Sequence, residues 1–232
     1  RVGMLDADIY GPSQPMMMGA NQAPHYASGE PLAPVECHGI STMSIGFLID
    51  VTTPMVWRGP MVSKALQQLL FDTSWPELDY LIVDLPPGTG DIQLTMSQKI
   101  PVAGAVIVTT PQDIALLDAR KGLEMFKKVE IPVLGIVENM ATHICSQCGH
   151  EEAIFGHGGG ISMANATGVP LLGTLPLDIQ IRTDTDKGVP TVKASPESPL
   201  TNAYHQIARN LIAELTLQPK SYAAKFPNIV VE

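Results

Sequence analysis

Cysteine is scarce in this chain: three residues in 232, two of them in one short motif. That count excludes a disulfide framework. It fits a reducing, cytoplasmic setting in which a thiol pair has a metal or redox role. Positive charge is also in short supply. Lys and Arg number 14 against 23 Asp and Glu, for a net charge of −9. Neither nucleic acid nor an anionic membrane is therefore expected as the main partner. No apolar run is long enough to cross a bilayer. No string of the form G-x-x-x-x-G-K-[S/T] occurs, so the usual cradle of backbone amides and lysine for phosphates is not written in these residues. What is present is apolar: 45% of residues are hydrophobic and 16% charged. That is enough to build the core of one α/β domain, expected to span 1–232.

Several short apolar runs end abruptly in a polar or turn residue. Val2–Leu5 ends at Asp6, Tyr80–Val83 at Asp84, and Ala105–Val108 at Thr109-Thr110. Val133–Val137 ends at Glu138-Asn139, and Leu171–Leu175 at Pro176. Continuous β-branched runs predict strands buried on both faces of a parallel sheet. Helical patterns lie between most of them. Thr110-Pro-Gln-Asp113 predicts a capping box with Pro111 at the first helical position and a helix to about Lys128. Met61–Phe71 predicts a second helix. Ser198-Pro199 opens a last one, with the stripe Tyr204, Ile207, Ala208, Leu211, Ile212, Leu215. The alternation predicts a doubly wound, mostly parallel sheet flanked by helices. In such a sheet ligands bind outside the carboxyl ends of the strands, where Asp6, Asp84, Thr110, Asn139 and Pro176 fall. Two stretches break the alternation. Residues 20–55 contain Val35–Met43, read as a hairpin or an insertion, and residues 140–160 hold the cysteines and Gly156-His-Gly-Gly-Gly160, read as a turn.

Tyr80–Asp84, followed by Leu-Pro-Pro-Gly88-Thr-Gly90-Asp91, has the form of a Walker B strand. Its carboxylate would hold Mg²⁺ beside a nucleotide phosphate, and its stiff-then-flexible loop would sense that phosphate. Asp6 and Asp8, two apart at a strand end, cannot both face one way in extended chain. One would support the metal and the other would reach toward an attacking water; a solvated turn with Asp accepting backbone N–H bonds is the plainer alternative.

His143-Ile-Cys145-Ser-Gln-Cys148-Gly-His150 is half of a metal site, because a closed site wants four ligands. Three readings stand: zinc held with the two flanking histidines, a cluster shared between two chains, or a redox or structural pair. Four ligands within eight residues leave little room to fold around one ion. Cys37 reads as a small buried hydrophobe.

Asp6–Ser13, Trp57-Arg-Gly-Pro60, Asp84–Asp91, Thr109–Asp113, Glu138-Asn-Met140 and Cys145–Cys148 occur in that order. Together they resemble the Mrp/ApbC family of iron–sulfur cluster carrier ATPases, which groups with the MinD/ParA-like deviant Walker A NTPases. The resemblance covers essentially the whole chain. It implies a P-loop NTPase fold, with Asp84 at Mg²⁺, Asp6 and Asp8 in switch I (Asp8 activating water), and Gly88 to Asp91 in switch II. It implies that Asn139 and the turn Pro176-Leu-Asp178 contact adenine, and that Cys145 and Cys148 bind the cluster within a loop over 141–160. The cofactors implied are a 4Fe-4S cluster, ATP and Mg²⁺, with slow, switch-type hydrolysis. The partners implied are a second copy in a homodimer, apo iron–sulfur proteins and a cluster-assembly scaffold, with no nucleic acid and no membrane. The family's Walker A loop is expected just before Arg1. A MinD/ParA-like positioning ATPase and a zinc-stabilised interaction module are the alternative readings. The roles of Arg58 and Lys64 stay open, and Met16–Met18 reads as packing.

Overall fold

A computed structural model describes residues 1–20, 22, 24, 31–49, 59–88, 93 and 100–218. The strands are β1 (Val2–Asp6), β2 (Val35–Cys37), β3 (Ile40–Ser44), β4 (Tyr80–Asp84), β5 (Ala105–Thr109), β6 (Val133–Glu138), β7 (His143–Ile144), β8 (Glu151–Glu152) and β9 (Leu171–Thr174). The helices are α1 (Gln14–Met17), α2 (Gly59–Phe71), α3 (Asp113–Lys128), α4 (Gly159–Thr167), α5 (Ile179–Asp186), α6 (Thr191–Ala194) and α7 (Pro199–Leu217). They group into two compact units: Arg1–Met96 with Asp178–Thr201, and Ser97–Leu177 with Asn202–Glu232.

In the first unit the sheet order is β2-β3-β1-β4. β1 runs parallel to both β3 and β4, and its register sets Asp6 directly beside Asp84 and Ser44. β2 and β3 form an antiparallel hairpin, one of the two readings of Val35–Met43, turning through His38 and Gly39 at positive φ. Helix α2 buries Val62, Leu66, Leu69 and Leu70. That i, i+4, i+7, i+8 stripe is worth about 2 kcal/mol per large side chain. α1 and α5 meet where Gly19 and Gly188 touch backbone to backbone. A Cβ on Gly188 would lie 2.4 Å from the Cα of Gly19, so neither position has room for a side chain.

In the second unit β5, β6 and β9 are parallel, in that order. Gly135 lets β6 approach β9, since a Cβ there would meet Leu172 at 2.3 Å. The stripe of α7 is real but narrower than expected. Tyr204, Ile207 and Leu211 pack with Ala203 on Val137, Leu172 and Leu175, whereas Ala208 and Ile212 face solvent. Ser198 caps this helix as expected, its hydroxyl accepting the N–H of Thr201 at 3.1 Å. No described helix is long and apolar enough to cross a membrane.

Two expectations need correction. The capping box at Thr110 does not form. α3 starts at Asp113 with Gln112 as an extended N-cap, and Pro111 lies outside the helix. The Thr110 hydroxyl bonds instead to the side-chain carbonyl of Gln112, a local competitor for the backbone. Nor are all the apolar strands buried on both faces. β4 and β5 lie at the edges of their described sheets, and alternate side chains point outward: Tyr80 is 41% exposed, Ile82 49% and Val108 62%. Residue alternation across the pleat exposes one face of any uncovered edge strand.

Candidate functional site

The carboxyl ends of β1 and β4 bring Asp6 and Asp84 side by side. Asp6 is fully buried and accepts three hydrogen bonds: from the Asp8 N–H (3.1 Å), the Gln14 N–H (3.2 Å) and the Ser44 hydroxyl (2.9 Å). Burial pushes its pKa above the ordinary carboxylate value. The three donors oppose the rise, and the negative charge of Asp84 adds to it. Gln14 ties the two carboxylates together. Its N–H serves Asp6 while its side-chain amide donates to Asp84 at 2.6 Å. Asp8 turns away from this pair: one of its oxygens accepts the N–H groups of Tyr10 and Gly11, both at 3.1 Å. These are the bonds of a turn, and the water-activating role of Asp8 stays with the resemblance. Gly88 has φ +100, and among the described residues no atom comes within 4 Å of where its Cβ would stand. Asp91 lies outside the described residues, as do Thr89, Gly90 and Arg58.

In the second unit, Asn139 follows β6 and Pro176 follows β9. The Asn139 N–H donates to the Thr109 carbonyl at 2.7 Å, and its side-chain oxygen accepts the Met140 N–H at 2.9 Å. Asp178 caps α5, accepting the Gln180 N–H at 2.7 Å. The segment after Asn139 runs beside the segment after β9. Ala141 N–H donates to Leu175 O (2.9 Å), Leu177 N–H to Thr142 O (2.7 Å), and His143 Nδ1 bonds Leu177 O (3.0 Å).

That segment leads into the cysteine hairpin. β7 pairs with β8, Cys145 N–H donates to His150 O, and Gly149 N–H donates to Cys145 O, each at 2.9 Å. Gly149 takes φ +71 to close the turn. Cys145 is half-buried and Cys148 exposed. The Cys145 thiol is pushed below its ordinary pKa, chiefly by the backbone N–H of Gln147, then by that of Cys148 and the Cys148 side chain, with a smaller part from His143. Because only thiolate is alkylated, iodoacetamide labelling of Cys145, followed by peptide mass spectrometry across pH, should reach half its plateau below the ordinary thiol value. A midpoint at or above that value would remove the assigned cause.

Among the described residues no three His, Cys, Asp or Glu side chains are gathered closely enough to hold a metal ion. His143 already spends Nδ1 on Leu177. Cys37 is half-buried rather than buried, with its sulfur 3.3 Å from the Thr42 hydroxyl. Within 156–160, Gly156 and Gly158 take positive φ, as the expected turn does, while Gly159 and Gly160 are close-packed. Gly160 donates its N–H to the buried carboxylate of Glu138, and Cβ atoms on Gly159 or Gly160 would meet Pro111 O or Glu138 Oε2, each at 2.8 Å. A carboxylate thus occupies the first turn of α4. Gln14 and Ser44 carry no spacing signal, and only the tertiary structure reveals them.

The chain matches the ParA model described as NUBPL iron-transfer P-loop NTPase over residues 1–212. It is 60% identical over 219 residues to an iron–sulfur cluster carrier protein of Escherichia coli strain K12, covering 94% of this chain and 59% of that protein's length. It is 48% identical over 219 residues to the mouse iron–sulfur cluster transfer protein NUBPL, covering 94% of this chain and 69% of that protein. Among solved structures, an ADP complex of a nucleotide-binding protein from Archaeoglobus fulgidus aligns with TM-score 0.69 and 37% identity, over 81% of this chain and 74% of that one. The cell division ATPase MinD of Pyrococcus furiosus aligns with TM-score 0.62 at 19% identity, over 91% and 85%, a likeness of fold.

Proposed function

Given that the chain belongs to the NUBPL-type iron-transfer P-loop NTPases of the ParA group, we propose that it is an ATP-dependent carrier of a 4Fe-4S cluster. The cluster is its cargo, held between two copies of the chain and passed to apo-proteins. The observation that carries this reading is the cysteine hairpin. It presents two thiols, one exposed and one half-buried, with Cys145 biased toward thiolate. Two such hairpins supply the four thiolates that a 4Fe-4S cluster takes. A single zinc-binding chain would need two further ligands.

ATP and Mg²⁺ are assigned to the strand ends: Asp84 to the metal, Asp6 and Asp8 to switch I, Gly88 and Asp91 to switch II, and Asn139, Pro176 and Asp178 to the base. The donor chemistry fits. Asp84 offers hard carboxylate oxygens of the kind Mg²⁺ selects, and buried Asp6 fixes the strand end beside it. Mg²⁺, when bound, shields phosphate charge. The protein's own part is to present Asp84 in a fixed position, which Gln14 does. Asp84→Ala should lower hydrolysis at least tenfold, about 1.4 kcal/mol of lost stabilisation. Unchanged steady-state phosphate release would take Asp84 out of this role.

Metal analysis after reconstitution with iron and sulfide tests the cargo assignment. Four iron and four sulfide per two chains, in a species of dimer mass, support it. One zinc per monomer would replace it with the interaction-module reading.

A further inference from the structure

The cysteine hairpin is tied at its root to the segment that leaves β9. Residues 141–143 and 175–177 share three hydrogen bonds: Ala141 N–H to Leu175 O, Leu177 N–H to Thr142 O, and His143 Nδ1 to Leu177 O. The first two are backbone bonds that any sequence could make. The third belongs to one side chain. A carbonyl only accepts, so Nδ1 carries the proton and donates. The ring is thereby fixed in orientation, and Cys145 lies two residues further along the chain.

We propose that His143 is a positioning residue that fastens the cysteine hairpin to the turn at Leu175–Leu177, so that a ligand bound at that turn changes the hairpin's hold on its cluster. The inference rests on the reading above, in which Pro176 and Asn139 border the base of the nucleotide. The physical path is short. Leu177 adjoins Pro176, and its two backbone polar groups are both spent on the hairpin root. The far side of the ladder is anchored as well: Leu175 N–H donates to Glu138 O, and Asn139 N–H to Thr109 O. A displacement of the turn is therefore passed to the short hairpin of β7 and β8, which is held by a two-residue pairing and the Cys145–His150 and Gly149–Cys145 backbone bonds. The coupling is reciprocal: if the nucleotide alters cluster retention, the cluster alters nucleotide affinity by the same factor.

The test compares the native protein with His143→Ala and His143→Asn, each reconstituted with iron and sulfide. Asparagine places its amide nitrogen near the position of Nδ1, so it keeps the donor while removing the ring. The first readout is the rate of cluster loss to a chelator with and without saturating ADP. The second is the alkylation rate of Cys145 in the reduced, cluster-free protein under the same two conditions. In the native protein ADP should change both rates about fivefold or more, the range typical of coupled sites. His143→Ala should bring the ratio close to one, and His143→Asn should restore it. A residue that merely supported the fold would instead shift both rates equally with and without ADP, leaving the ratio intact; that result would overturn the proposal. ADP binding to native protein with no effect on either rate would overturn the coupling alone. Failure of native protein to bind a fluorescent ADP analogue would overturn the base assignment along with it.

Discussion

Serine at both Cys145 and Cys148 should leave the reconstituted protein without iron–sulfur absorption, with its fold intact. A hydroxyl stays protonated at neutral pH and is a poor ligand for iron, whereas thiolate is the ligand such clusters take. The loss should be complete because no substitute is at hand: the described residues gather no third metal-binding side chain near the pair. The fold should survive because Cys148 is exposed and Cys145 only half-buried, and the hairpin is closed by backbone bonds rather than by sulfur. The thermal midpoint should therefore move by no more than about 2 °C, as for most surface changes. Each single variant should also fail, since every change is made twice in a symmetric pair. Iron and sulfide analysis alongside visible absorption measures this. A double variant that still carried a full complement of cluster would move the site elsewhere in the chain.

The second large effect is on stability. Asp6→Ala should cost about 3 kcal/mol. Its carboxylate satisfies the N–H groups of Asp8 and Gln14 and the buried hydroxyl of Ser44. Alanine strands all three donors, at about 1–3 kcal/mol for each one left unpaired. Some of that is returned, because a buried carboxylate carries its own desolvation penalty. The same penalty sets the pH behaviour. The folded-state pKa is raised, so the folded protein holds this proton more tightly than the unfolded chain does. The contribution of Asp6 is greatest below the ordinary carboxylate range and is lost as pH rises from there through the raised value. Urea unfolding at a series of pH values should show that component in the native protein and not in the alanine variant. A variant within about 0.5 kcal/mol of native would mean that the three donors find other partners.

Both predictions concern residues that the sequence makes visible, yet only part of their setting could be read there. Asp6 and Asp84 stand out because an apolar run stops at each. Their adjacency follows from a strand register that no local pattern encodes. At Val35–Met43 a hairpin and an insertion read alike in the sequence, and the antiparallel pairing of β2 with β3 decides for the hairpin. The cysteines were legible from spacing, because the chemistry of a two-ligand grip is local. Thr110 misled because a threonine three residues before an aspartate has the form of a cap. Its hydroxyl found Gln112 first, and propensity yielded to a nearer partner. Asp8 offered two readings, and the Tyr10 and Gly11 amides that its carboxylate accepts could not be read from its spacing. Gln14 was invisible for the opposite reason: a glutamine between a serine and a proline signals nothing until the fold brings Asp84 within 2.6 Å.

The exposed side chains of β4 and β5 also bear on how a stock of this protein ages. Apolar groups left in water are contact points for a second molecule. Tyr80, Ile82 and Val108 are such groups. Losses on storage should therefore rise with concentration and proceed from the folded state, without prior melting. Shelf life becomes a question of dilution and of charged additives more than of temperature.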